Sequence, residues 1–187
     1  MTAAASPEVA DPIHFIGIGG AGMSVIASLF LAAGQRVSGS DAKAGPALER
    51  LAAAGALVHV GHDAANVAGA GTVVVSTAVK RDNVELVAAR DAGIAVLHRS
   101  EALALVAEGK DFVAVAGAHG KTTTSSMLAL ALIEAGEDPS YAIGGEVVAL
   151  GTGAHAGTGR AFVAEADESD RSFLAYRPRV AVVTNIE

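Results

Sequence analysis

Between the apolar run Phe112-Val113-Ala114-Val115-Ala116 and a helix-forming stretch, the chain places Gly117-Ala118-His119-Gly120-Lys121-Thr122-Thr123-Thr124. A glycine-rich turn leading from a buried strand into a helix lets backbone N–H groups converge on a polyphosphate, and the helix N-terminus adds positive potential. Lys121 supplies a movable charge and Thr122 a hydroxyl for Mg²⁺, so the expected ligand is ATP or GTP with magnesium. The longer P-loop pattern needs a glycine where Val115 stands, so the match is to the shorter form Gly-x-x-Gly-Lys-Thr. The competing reading is a plain strand-to-helix turn with an exposed lysine. His119, inside the loop, is expected near the nucleotide or a neighbouring substrate.

A second glycine loop, Gly17-Ile18-Gly19-Gly20-Ala21-Gly22, fits Gly-x-Gly-x-x-Gly after an apolar run, and Asp41 ends the next predicted strand, about twenty residues on. Taken alone, this pattern predicts NAD. Its physics is less particular: glycines admit a pyrophosphate to a helix N-terminus and a carboxylate accepts from ribose hydroxyls. Any nucleoside diphosphate with a free ribose meets those terms, a UDP-sugar included, and a tight turn without a ligand is the alternative.

Glu165, Asp167, Glu168 and Asp170 crowd behind the apolar run Ala161-Phe162-Val163-Ala164. A strand end of this kind can complete a Mg²⁺ site, since hard cations take oxygen ligands and nucleotide phosphates supply the rest. Glu165 lies nearest the strand and is the favoured ligand; a merely charged loop is the alternative. His14, His59, His62, His98, His119 and His155 show no paired metal-ligand spacing, so zinc is not expected. His62, just past a short strand, is a candidate for the first loop's site.

The elements that must position these residues alternate strand and helix. Strands are predicted at 13–18, 36–41, 56–60, 72–76, 94–97 and 112–116, with helices at 24–33, 47–54, 83–92, 101–107 and 122–135. Gly34, Gly55, Gly93 and Gly136 close four of the helices. Further buried strands are predicted at 161–165 and 180–184, and the glycine-rich stretch 151–159 is expected to be a flexible loop. The fold class is therefore α/β, with right-handed crossovers and ligands at the carboxyl ends of parallel strands. Residues 1–11 read as a disordered leader, 12–108 as a Rossmann-like unit and 109–187 as a P-loop α/β unit. The second unit offers fewer strands than a nucleotide-binding domain normally needs, so the chain reads as cut inside it.

Composition narrows the function classes. With 187 residues, 51% of them hydrophobic, the chain can build two modest cores. The absence of cysteine excludes disulfides and thiolate metal sites and makes the cytoplasm the default compartment. A net charge of −7 argues against nucleic acid as a partner, since nonspecific binding needs Lys and Arg to neutralise phosphates. Only 4% aromatic residues argue against base-stacking platforms. No apolar stretch reaches the ~18 residues of a membrane span, so no membrane partner is expected.

Taken in order, IHFIGIGGAGM at 13–23, SGSD at 38–41, VVVSTA at 73–78, the loop at 115–124 and the segment from Phe162 to the final Asn185-Ile186-Glu187 resemble the Mur ligases of peptidoglycan synthesis. The resemblance spans nearly the whole chain. It implies a first unit that binds UDP-N-acetylmuramate rather than NAD, with Gly17, Ile18, Gly19, Gly20, Ala21, Gly22 and Met23 around the diphosphate and Asp41, His62 and Ser76 in the same site. It implies a second unit in which Gly117, Ala118, His119, Gly120, Lys121, Thr122 and Thr123 wrap ATP, while Thr122 and Glu165 bind Mg²⁺. Lys121, Thr122 and Glu165 are then the catalytic set of an ATP-dependent ligase that joins L-alanine to the sugar nucleotide through an acyl phosphate. Ala118 departs from the threonine common in the family, and the chain ends before a histidine that completes a second metal site there. The expectation is a piece that binds ligands without turning over. A muramyl-peptide recycling ligase, an NAD-binding oxidoreductase or sensor fused to a P-loop module, and a noncatalytic UDP-sugar reader are the alternatives.

Overall fold

A computed structural model describes residues 9–144, 147–167 and 172–186. The first sheet is parallel throughout, in the order β3-β2-β1-β4-β5: β1 (Ile13–Ile16), β2 (Val37–Asp41), β3 (Leu57–Val60), β4 (Thr72–Val75) and β5 (Ala95–His98). Helices α1 (Ala21–Ala32), α2 (Pro46–Ala53), α3 (Val84–Asp91) and α4 (Arg99–Val106) follow β1, β2, β4 and β5. β1 is central and buried along its whole length, His14 included, which is why its apolar residues are not confined to alternate positions. The chain leaves β1 for β2 on one side, while β4 pairs on the other, opposite Ile13 to Phe15. That reversal opens a crevice at the carboxyl end of β1, where the Gly17 loop lies.

The second sheet has the order β10-β6-β9-β7-β8. Its strands are β6 (Asp111–Ala116), β7 (Ser140–Ala142), β8 (Ala154–His155), β9 (Ala161–Glu165) and β10 (Val180–Val183), and α5 (Lys121–Glu134) follows β6. β6 runs parallel to both neighbours, with Val115 opposite Glu165 and Ala116 opposite Val183. The phosphate-type loop after β6 is therefore flanked by the carboxyl ends of two other strands.

Where the structure differs from the sequence reading, the causes lie in how the backbone polar groups find partners. α1 begins at Ala21, three residues earlier than predicted, because Gly20 takes the N-cap place and first-turn N–H groups need no helical partner. α4 begins at Arg99, not 101, because Glu101 accepts the His98 N–H at 2.7 Å and closes a capping box. The 151–159 stretch is not simply a loop: it carries β8, antiparallel to β7. Asp138 accepts from the Thr158 N–H at 2.8 Å and pairs with His155 Nε2 at 2.7 Å, while Lys110 Nζ donates to Gly157 O and Gly159 O. Partners for its backbone hold a segment whose composition alone predicts freedom.

Nor are the two sheets separate bodies. One continuous core includes Phe15, Ile26 and Phe30 of the first unit with Phe112, Phe162 and Tyr176 of the second. Phe112 meets Phe162 and Tyr176 edge-on, with ring centroids 5.6 and 5.4 Å apart. Burying each such ring contributes roughly 1.5–3 kcal/mol, so the docking of the sheets draws on the same hydrophobic drive as their folding.

Candidate functional site

The first corner is built from Gly17 to Gly22. Gly17 has φ +79°, and the N–H groups of Gly17 and Ile18 both donate to Ser40 O, tying the turn to β2. Asp41 Oδ2 accepts the Gly19 N–H at 3.0 Å, and a Cβ on Gly19 would come within 2.9 Å of that oxygen. Asp41 thus clamps the loop. Ile18 and Met23 are buried in the core, so what they present at the corner is backbone. Gly20 caps α1 without a side-chain hydrogen bond, and the helix offers no carbonyl to the N–H groups of Ala21, Gly22 and Met23. Ser76 closes a turn by accepting the Val79 N–H, and Val79 Cγ2 faces Gly17.

Beneath this corner lies a polar cluster that sequence reading missed. Glu85, on the first turn of α3, is completely buried. Its carboxylate accepts from Ser40 Oγ at 2.5 Å, Asn66 Nδ2 at 2.6 Å and His62 Nδ1 at 3.0 Å, with His14 Nε2 3.9 Å away. Burial pushes the carboxyl up, but the His14 ring and the hydrogen bonds from Ser40, Asn66 and His62 outweigh it and hold the group at about 2. An ionised carboxylate only accepts, so the His62 proton sits on Nδ1. His62 is held from behind, with its side chain 27% exposed. An acidic residue just after the Asn83 cap looks in sequence like a solvated first-turn carboxylate, and only the fold buries it.

The second corner is the Gly117–Gly120 loop. Gly117 has φ +132°, and a Cβ there would run into Thr184 Oγ1. Gly120, at φ +82°, caps α5 without a side-chain hydrogen bond, leaving the Lys121, Thr122 and Thr123 N–H groups at an open helix start. Lys121 Nζ donates to Gly117 O at 2.6 Å. The loop is held by the residues just after β10: Asn185 Oδ1 accepts the His119 N–H at 3.2 Å, Asn185 Nδ2 donates to His119 O at 3.0 Å, and Thr184 Oγ1 donates to the same carbonyl. Thr184 and Asn185 were visible in sequence only as a motif without a role.

Glu165, at the end of β9, accepts the Gly144 N–H on Oε1 at 3.2 Å. Asp167 turns away to Arg99 of the first unit, whose Nη2 donates to its Oδ2 at 2.7 Å. Glu168 and Asp170 lie outside the described residues. A cavity of about 370 Å³ brings the corners together, lined by Gly22 from the first loop, Lys121 from the second, and Glu165, Arg99 and Asp167. A larger one, about 480 Å³, flanks the first loop on its other side at Gly19 and Ser24, with Arg50 and Thr152 in its wall. Among the described residues no helix is long and apolar enough to cross a membrane.

Two α/β units, each with a glycine corner at the carboxyl end of a parallel strand and both opening on one cavity, define a tandem Rossmann-like and P-loop α/β protein. The family described as "Mur ligase family, catalytic domain" matches residues 12–111. The chain belongs to the Mur ligase family. It is 62% identical over 175 residues to the UDP-N-acetylmuramate–L-alanine ligase of Renibacterium salmoninarum, covering 94% of this chain and 38% of the relative. With that of Paenarthrobacter aurescens it shares 56% over 186 residues, 100% of this chain and 41% of the relative. Among solved structures, the UDP-N-acetylmuramate:L-alanyl-γ-D-glutamyl-meso-diaminopimelate ligase from Neisseria meningitides superposes with a TM-score of 0.87 at 37% identity, covering 94% of this chain and 60% of that one. A UDP-N-acetylmuramate-alanine ligase from Thermotoga maritima gives 0.86 at 34%, covering 92% and 41%. The chain spans about two fifths of the length of these curated relatives.

Proposed function

We propose that this chain forms the UDP-N-acetylmuramate-binding and ATP-binding portion of a cytoplasmic UDP-N-acetylmuramate–L-alanine ligase. The observation that carries this reading is the shared cavity: the last glycine of the first corner and the lysine of the second line one space, as transfer between two bound nucleotides requires. The solved relatives do not separate the alanine-adding enzyme from a recycling ligase, since both kinds superpose almost equally well. The curated relatives at 53–62% identity carry the alanine-adding name, which favours that activity. An NAD-binding oxidoreductase has no counterpart among these relatives.

In this reading the diphosphate of the sugar nucleotide lies against the start of α1 and the triphosphate of ATP against the start of α5, where Lys121 swings from Gly117 O to the phosphates. A muramyl carboxylate oxygen attacks the γ-phosphorus and the bond to the β-bridging oxygen breaks, giving an acyl phosphate and ADP. The L-alanine amine then attacks the acyl carbon, phosphate leaves, and the amine loses its proton. Backbone N–H groups and Lys121 stabilise the transferring phosphoryl group by position and charge, and no protein nucleophile is needed.

The donor chemistry of Thr122 and Glu165 fits Mg²⁺, a hydroxyl and a carboxylate being hard oxygen ligands. Among the described residues no three His, Asp or Glu side chains converge, and phosphate and water oxygens would supply further ligands to such an ion. When bound it would neutralise phosphate charge. Calorimetric titration tests the reading: UDP-N-acetylmuramate and ATP should each bind the chain, and Lys121→Ala should weaken ATP at least about tenfold while sparing the sugar nucleotide. Binding of NADH in place of UDP-N-acetylmuramate would overturn it.

A further inference from the structure

Arg99 is the first residue of α4 and leaves the carboxyl end of β5, the same edge of the first sheet as the Gly17–Gly22 loop. Its guanidinium reaches across the unit boundary to Asp167 and lines the 370 Å³ cavity beside Lys121 and Glu165. The Arg99 side chain is 22% exposed and that of Asp167 41%. Gly22 makes room for it, since a Cβ at that position would lie 3.2 Å from Arg99 Nη1. The last glycine of the first loop therefore serves a side chain from another element as well as close helix packing.

Of the described side chains lining the cavity, Arg99 and Lys121 are the cations and Glu165 and Asp167 the anions. Lys121 belongs to the phosphate loop. The remaining ligand group that must enter this space is the carboxylate that receives the phosphoryl group, and it arrives among two carboxylates and a triphosphate. Without a cation of its own it would be repelled. A guanidinium meets the need because its planar fork holds two carboxylate oxygens at once and stays charged at any working pH.

We propose that Arg99 binds the lactyl carboxylate of UDP-N-acetylmuramate, and that Asp167 occupies the guanidinium until this ligand arrives. The proposal rests on the functional reading above. Asp167 is the more exposed partner and returns to water at small cost, so the exchange is a swap of one carboxylate for another. The ligand carboxylate is thereby held beside Lys121, on the side of the cavity from which it can meet the γ-phosphate.

A strut joining the two units is the competing role, and two ligands separate them. UDP-N-acetylglucosamine is the same sugar nucleotide without the lactyl group, so titration of both into wild type, Arg99→Ala, Arg99→Lys and Asp167→Asn isolates the carboxylate. Arg99→Ala should weaken UDP-N-acetylmuramate at least about tenfold and leave UDP-N-acetylglucosamine within about twofold. Arg99→Lys should recover part of the loss, and Asp167→Asn should not weaken UDP-N-acetylmuramate at all. ATP affinity of Arg99→Ala within about twofold of wild type would show the second corner intact. Equal loss of both sugar nucleotides in Arg99→Ala and Asp167→Asn, or no loss in Arg99→Ala, overturns the proposal. If wild type binds neither sugar nucleotide, the reading of the first corner itself fails and takes the proposal with it.

Discussion

Replacing Glu85 by glutamine should cost the fold about 3 kcal/mol at neutral pH, a cost that disappears in acid. The carboxyl is held at about 2 against an ordinary 4.5, and at ~1.4 kcal/mol per pKa unit that gap sets the figure. Since the folded carboxyl is the stronger acid, its stabilisation is complete above pH 4.5 and is lost as pH falls towards 2. Glutamine keeps the shape but turns an amide donor towards Ser40, His62 or Asn66, each of which already points a hydrogen at this site. The chain has no tryptophan, so the assay is urea unfolding followed by far-UV circular dichroism, for both proteins, from about pH 7 to about pH 2.5. Asp138, held at about 2 by the Thr158 N–H, His155 and the Thr158 hydroxyl, titrates in both proteins and cancels in the difference. The difference should fall from about 3 kcal/mol to under about 1 kcal/mol across that range. A difference that stays constant with pH, or one below about 1 kcal/mol at neutrality, would refute the claim that an ionised Glu85 holds this cluster together.

Gly117→Ala should abolish measurable ATP binding while sparing the first corner, because it adds about 1–3 kcal/mol of left-handed backbone strain and drives a methyl into Thr184. Titration of ATP and UDP-N-acetylmuramate into the variant separates the two effects. Asn185→Ala removes both hydrogen bonds to the His119 backbone and should weaken ATP about tenfold with little change in melting temperature. Asn185→Asp, which keeps the acceptor for the His119 N–H and loses the donor, should fall between it and wild type.

Both glycine corners were legible because their signals are local: an apolar run, small residues that permit close approach, and a helix start within a few positions. The same locality explains what was hidden. Glu85, Asn66 and His14 converge from α3, the segment after β3, and β1, so no sequence spacing relates them. Arg99 stands directly after the parallel strand β5, at the edge where ligands bind in such sheets, so its position does carry a signal in the sequence. The prediction of a free 151–159 loop failed for a different reason. Glycine content reports what a backbone can do, whereas Asp138, Ser140 and Lys110, all distant in sequence, decide what it does.

The shared cavity owes its dimensions to α1. That helix starts at the first corner, packs against α2 and α4 of its own unit, and touches β7 and β8 of the second sheet. Ile26, in its middle, is 1% exposed yet lines the cavity between the corners. The helix whose open end would hold one diphosphate therefore also sets the distance to the other. A flexible linker would let each corner bind alone but would leave the approach of carboxylate to γ-phosphate to chance. In the proposed reading, packing through one buried helix would make that approach a property of the core, so that binding and alignment would depend on the same buried residues.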